Sequence, residues 1–192
     1  MTHMTQYKQG FTLIETFVAI TILAISIVGP LTIASKGLQT TVLSRDQLTA
    51  TYLAQEALEQ VRYIKDSNVI SGNGWLTGLA ACVNADCYLD VWDTADDADT
   101  SEDGDGQWEN NPLAYACSSD CPALNYNSSR HRYEYGSGTP SPFTRTVRIT
   151  NVSNNEKLVS VQVEWRLGSS IKSVEITERI FDWAGGMVID QT

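Results

Sequence analysis

The chain has 192 residues, with 13 Lys plus Arg against 23 Asp plus Glu, for a formal net charge of -10 at pH 7. That length suits one globular domain with an appendage and excludes a large multidomain machine. The acidic balance argues against general binding to the nucleic-acid backbone.

Residues 1–10, MTHMTQYKQG, form a short polar head, and residues 11–34 follow as FTLIETFVAITILAISIVGPLTIA, whose one charge is Glu15. At about 1.5 Å rise per residue, about 20 apolar helical residues cross a bilayer core, so this run predicts a single membrane span. Lys8 favours a cytoplasmic N-terminus, with Lys36 and Arg45 beyond the run making the bias modest, and the body is then extracytoplasmic. A secretory signal has a shorter apolar region followed by a small-residue cleavage site; here Gly10 comes before the run.

Glu15 needs an explanation, because a carboxylate at the bilayer centre costs about 2.5–3.5 kcal/mol and less near the interface. Either it meets a cation, or it complements the positive end of the helix dipole at headgroup depth. Further on, Gly29 and Pro30 interrupt the apolar run. Proline removes a backbone bond and collides with the preceding turn, which predicts a kink or a melted segment over residues 28–31.

The run Gly10-Phe11-Thr12-Leu13-Ile14-Glu15 ahead of an apolar helix resembles the cleavage and methylation signal of type IV prepilins and type II secretion pseudopilins. The resemblance implies that a prepilin peptidase cuts between Gly10 and Phe11 and methylates the new Phe11 amine. It implies that Glu15 pairs with the Phe11 amine of a neighbouring subunit, with the helix as polymerisation element. Other pilin or pseudopilin subunits and an inner-membrane assembly platform are the implied partners. The implied location is the inner or cytoplasmic membrane, single-pass, with the head extracytoplasmic, and then a pilus or pseudopilus filament. In that family a proline in this region marks where the helix bends or unwinds; here it comes earlier, counted from the cleavage point, than in many major pilins.

Residues 35–66 turn polar but keep a helical period: Ala50, Leu53, Ala54, Ala57, Leu58, Val61 and Ile64 recur three and four apart. This predicts an amphipathic continuation of the membrane helix, weakened only at Gly37. The segment YLAQEALEQVR is similar to the corresponding stretch of minor pilins and pseudopilins.

Turn chemistry begins at Ser67, and residues 67–142 read as an irregular region rich in Gly, Asn and Ser. It holds Cys82, Cys87, Cys117 and Cys121, all downstream of the apolar run. An extracytoplasmic compartment permits disulfides, and four cysteines allow three connectivities. Zinc fits less well, since the spacings are C-x4-C and C-x3-C with His131 the one histidine nearby.

Between the cysteine pairs lies an acidic run in which Asp99, Ser101 and Asp103, followed by Gly104, take the D-x-[DN]-x-[DN]-G spacing of a calcium loop, with Asp105 and Gln107 in reach. The closing carboxylate is displaced: Glu109 comes one residue early and Asn110 stands in its place. A calcium site and a solvated acidic loop are the two readings. No G-x-S-x-G elbow, HExxH helix or phosphate-binding glycine loop appears, so no enzymatic activity is expected. Asn127-Ser-Ser129 and Asn151-Val-Ser153 match the glycosylation acceptor pattern.

Residues 143–183 contain three β-rich segments, 143–150, 157–167 and 171–183, joined by hairpin-like connectors. Val159, Val161, Val163 and Trp165 share one face, as do Val174, Ile176 and Ile180, with Gln162, Glu164, Glu175 and Arg179 opposite. An antiparallel meander packed on the helix follows, with residues 184–192 as a tail. The pattern F-x-R-x-V-x-I followed by V-x-V-x-W resembles the C-terminal sheet of PilV-type minor pilins and secretion pseudopilins.

The expected fold class is α+β, a long N-terminal helix on a C-terminal antiparallel sheet, pilin-like by resemblance. The expected function is a minor pilin of a type IV pilus-like filament, with a type II secretion pseudopilin as the alternative. A reading from another class is a membrane-anchored calcium-dependent adhesion or binding module that keeps residues 1–10.

Overall fold

In the computed structural model, which describes residues 10–90 and 114–183, helix α1 (Leu13–Ile70) precedes seven strands. These are β1 (Cys87–Leu89), β2 (Ala114–Ala116), β3 (Ala123–Asn127), β4 (Arg132–Glu134), β5 (Thr139–Asn151), β6 (Glu156–Leu167) and β7 (Ser170–Phe181), and all their pairings are antiparallel. The chain divides into two compact units, Met1–Ser44 and Arg45–Thr192.

The first unit is the apolar part of α1. It contains an 18-residue window of mean hydropathy 2.4, none of it buried. The helix runs without interruption through Gly29 and Pro30, so the melted segment expected there is absent from the single subunit. Pro30 forfeits one N–H bond, while the Leu, Ile, Val and Ala around it retain theirs; the Thr32 hydroxyl also donates to the Val28 carbonyl at 2.9 Å.

In the second unit α1 buries a single stripe, Ala50, Leu53, Ala54, Ala57, Leu58, Val61 and Ile64. The alanines let the backbone approach the sheet closely, and the larger residues fill the space between. Facing them, Val147, Ile149, Val159, Val161 and Val163 are fully buried, each stabilising the fold by about 1.5–3 kcal/mol relative to exposure. The helix extends to Ile70, four residues beyond the expected end at 66. Asn68, which reads as turn chemistry, is buried and donates from its side chain to the Thr77 carbonyl at 2.8 Å, holding the following loop against the last turn. Gly72 at φ 73° and an Asn73 N–H to Asn68 O bond of 2.8 Å then close the end of the helix.

Strand β5 organises the sheet. One edge pairs with β6 from Phe143↔Trp165 to Asn151↔Lys157. The other edge is shared, its N-terminal part pairing with β3 and its C-terminal part with β1 at Cys87↔Val147. Strands β6 and β7 join through a two-residue connection with Gly168 at φ 60°, the conformation a tight hairpin requires. The meander therefore stands, with one difference: Val174 and Ile176 are half-buried, and only Ile180 of that trio is buried. Among the described strands β7 pairs with β6 alone, so its core face has neighbours on one side only.

The irregular reading of 67–142 is corrected. Its described parts contain β1 to β4 and a short 3-10 turn at Ala80–Cys82. Strands of three to five residues are too short to show a period, and they hold their places through pairing and cross-links. Cys82 is bonded to Cys87 and Cys117 to Cys121, which selects the near-neighbour pairing among the three connectivities. The first bond ties the 3-10 turn to β1, and the second closes the turn between β2 and β3.

Candidate functional site

Helix α1 begins with Thr12 as its cap. The Thr12 carbonyl accepts from the Thr16 N–H at 3.2 Å, and its hydroxyl accepts from the Glu15 N–H at 3.3 Å. The T-x-x-E spacing of Thr12 and Glu15 is that of a capping box, a signal in the sequence that marks Thr12 as the residue setting the helix start. Gly10 and Phe11 precede the helix, and the space where a Gly10 side chain would stand is open. Phe11 is 81% exposed. The Gly10–Phe11 peptide bond is thus outside regular structure and open to a protease.

Glu15 lies in the first turn, where its charge faces the positive end of the helix dipole. Its side chain is exposed, and among the described residues no cation pairs with it. Every residue from 10 to 42 is exposed, including large apolar side chains such as Leu13 and Ile25. Such a surface is stable only in lipid or against other apolar helices.

The other expected site residues separate. Gly29 and Pro30 sit within the helix, and the four cysteines form two bonds next to each other, with Cys121 Sγ 3.6 Å from the Cys87 carbonyl. The calcium set of Asp99, Ser101, Asp103, Asp105, Gln107, Glu109 and Asn110 lies outside the described residues. Among the described residues no group of three His, Cys, Asp or Glu side chains could hold a metal ion.

The β3–β4 turn contains the most strongly perturbed carboxylate described. Glu134 is covered by the turn's own side chains: Ser137 Oγ donates to it, as do Asn127 Nδ2 at 2.6 Å and Arg132 Nε at 2.6 Å. The Ser137 and Asn127 bonds chiefly, with help from Arg132, lower its pKa from 4.5 to about 2 against the opposing effect of burial. Asn127 also accepts from the Ser129 and Arg130 N–H groups. Its side chain is thereby committed on both ends, which removes it as a glycosylation acceptor; Asn151 remains exposed.

A family model described as the prokaryotic N-terminal methylation motif matches residues 5–29. No curated protein and no solved structure matches the chain. The match covers Gly10, Phe11, Thr12 and Glu15, together with the apolar helix through Gly29. The chain carries the type IV pilin signal at the head of a long, exposed apolar helix, and so fits the prepilins and pseudopilins.

Proposed function

We propose that the protein is a minor pilin, a structural subunit of a type IV pilus-like filament, held in the inner membrane by α1 with its head extracytoplasmic until assembly. A prepilin peptidase cuts between Gly10 and Phe11 and methylates the Phe11 amine. The new ammonium of one subunit meets Glu15 of the next, while the apolar helices bundle and replace lipid contacts with one another. An intramembrane carboxylate without a cation is costly, so this pairing favours the filament over the dispersed subunit. The subunit performs no reaction itself.

The observation carrying this reading is the methylation motif ending in an exposed Glu15, set on a helix whose residues 10–42 are all exposed. Its test is incorporation of Glu15→Leu subunits into sheared filaments, measured against the membrane pool. The pairing predicts loss of incorporation with normal accumulation in the membrane. Incorporation at the native level contradicts it.

A further inference from the structure

The β3–β4 turn lines an open groove of about 640 Å³ whose opposite wall is the head-packed part of α1. Arg130, His131, Arg132 and Tyr133 form one side, facing Tyr52 and Glu56 of the helix. Three basic side chains in succession are unusual on a chain of net charge -10. His131 also sits at φ 53°, one of two non-glycine residues at positive φ among those described. A left-handed β-carbon is costly, so the turn holds this triad toward the groove against backbone preference.

The chain supplies a matching acid. Residues 91–113 contain eight carboxylates and no lysine or arginine. Their two ends emerge together, because Leu89 and Ala114 are paired across β1 and β2. That root lies next to the groove: Arg145 Nη2 donates to the Leu89 carbonyl at 3.0 Å, and Arg145 Nη1 donates to the groove-lining Glu56 at 2.8 Å. At about 3.3 Å per residue, half the segment going out and half returning reaches about 35 Å, far more than the groove requires.

We propose that residues 91–113 dock in cis on the lip formed by Arg130, His131 and Arg132. Arg132 and Arg130 meet Glu134 on their inner side, at 2.6 and 3.9 Å. A guanidinium carries five N–H donors, enough for Glu134 and a further carboxylate. A tethered segment is present at an effective concentration in the millimolar range, which no free acidic partner at ordinary dilution matches. Because the lip is solvent-facing, the contact is screened by salt.

Glutamate-specific proteolysis of the full chain in detergent micelles tests this at Glu102 and Glu109, the two glutamates of the segment. At low salt the native chain is expected to be cut there at least about tenfold more slowly than Arg130→Glu/Arg132→Glu, since cleavage follows the undocked population. About 1 M salt removes the difference. A second variant, Asp96→Asn/Asp97→Asn/Asp99→Asn/Asp103→Asn, changes no described residue and keeps both cleavage sites, and it is expected to show the same acceleration. Equal rates in native chain and both variants overturn the proposal. So does protection that grows with protein concentration, which marks a second copy, or protection that needs added calcium and ignores the arginine substitutions.

Discussion

The Arg145 guanidinium, 1% exposed, meets the Glu56 carboxylate at 2.8 Å and so joins the centre of the sheet to the helix. It also donates to the carbonyls of Leu53 and Leu89, fastening α1, β5 and β1 at one point, with the Tyr135 ring 5.9 Å from its carbon Cζ. Arg145→Ala is expected to destabilise the fold by about 3–5 kcal/mol, because it strands a carboxylate and two carbonyls and leaves a cavity. Glu56→Gln keeps an acceptor in place at a partly exposed site and is expected to cost less. Urea unfolding followed by tryptophan fluorescence measures both, and equal costs would contradict the central role of the guanidinium.

Glu134 makes stability depend on pH in a defined window. Its folded pKa, about 2, lies below the ordinary 4.5, so the native state binds protons less readily than the unfolded state. Its contribution is complete above the unfolded value and is lost as pH falls from about 5 toward about 2, amounting to no more than about 3 kcal/mol. Glu134→Gln is expected to flatten the unfolding midpoint across that window and leave its slope elsewhere unchanged. A native-like acid slope in the variant would assign the dependence to other groups.

Gly138 sits at φ 110°, and a β-carbon there would stand 2.7 Å from the Tyr126 carbonyl oxygen. That neighbour is strand backbone and cannot rotate away. Gly138→Ala is therefore expected to cost about 2 kcal/mol or more, whereas Gly74→Ala, whose nearest contact is the Thr77 hydroxyl at 3.4 Å, is expected to cost less than about 1 kcal/mol. Thermal melting of the two variants side by side checks the contrast.

The two disulfides close short loops, separated by five and four residues, so loop entropy assigns each only about 2 kcal/mol. Cys82 and Cys87 are fully buried beside β5, unlike Cys117. The Cys82→Ala/Cys87→Ala pair is expected to lower the melting temperature more than the Cys117→Ala/Cys121→Ala pair, through lost core packing added to lost entropy. The reverse order in calorimetry would contradict this.

What was legible in the sequence follows from pattern length. The buried stripe from Ala50 to Ile64 spans four turns, and Val159 to Trp165 alternates over four buried positions, long enough for periods of 3.6 and 2 to show. Strands β1, β2 and β4 have three residues each and could not show one. Arg145 shares the core face with Phe143 and Val147, yet its burial depends on Glu56, 89 residues away, which no local pattern encodes. At the N-terminus the reverse holds. Gly10, Phe11 and Glu15 were legible because processing signals are read locally, and Thr12 was legible as well through its T-x-x-E spacing with Glu15.

The most direct measurement is mass spectrometry of the N-terminal peptide from chain extracted from filaments and from membranes. Processing after Gly10 predicts a filament form that begins at Phe11 and is one methyl group heavier than the unmodified residue. A filament-associated chain still beginning at Met1, or no filament-associated chain beside an intact membrane form, would contradict the proposed function.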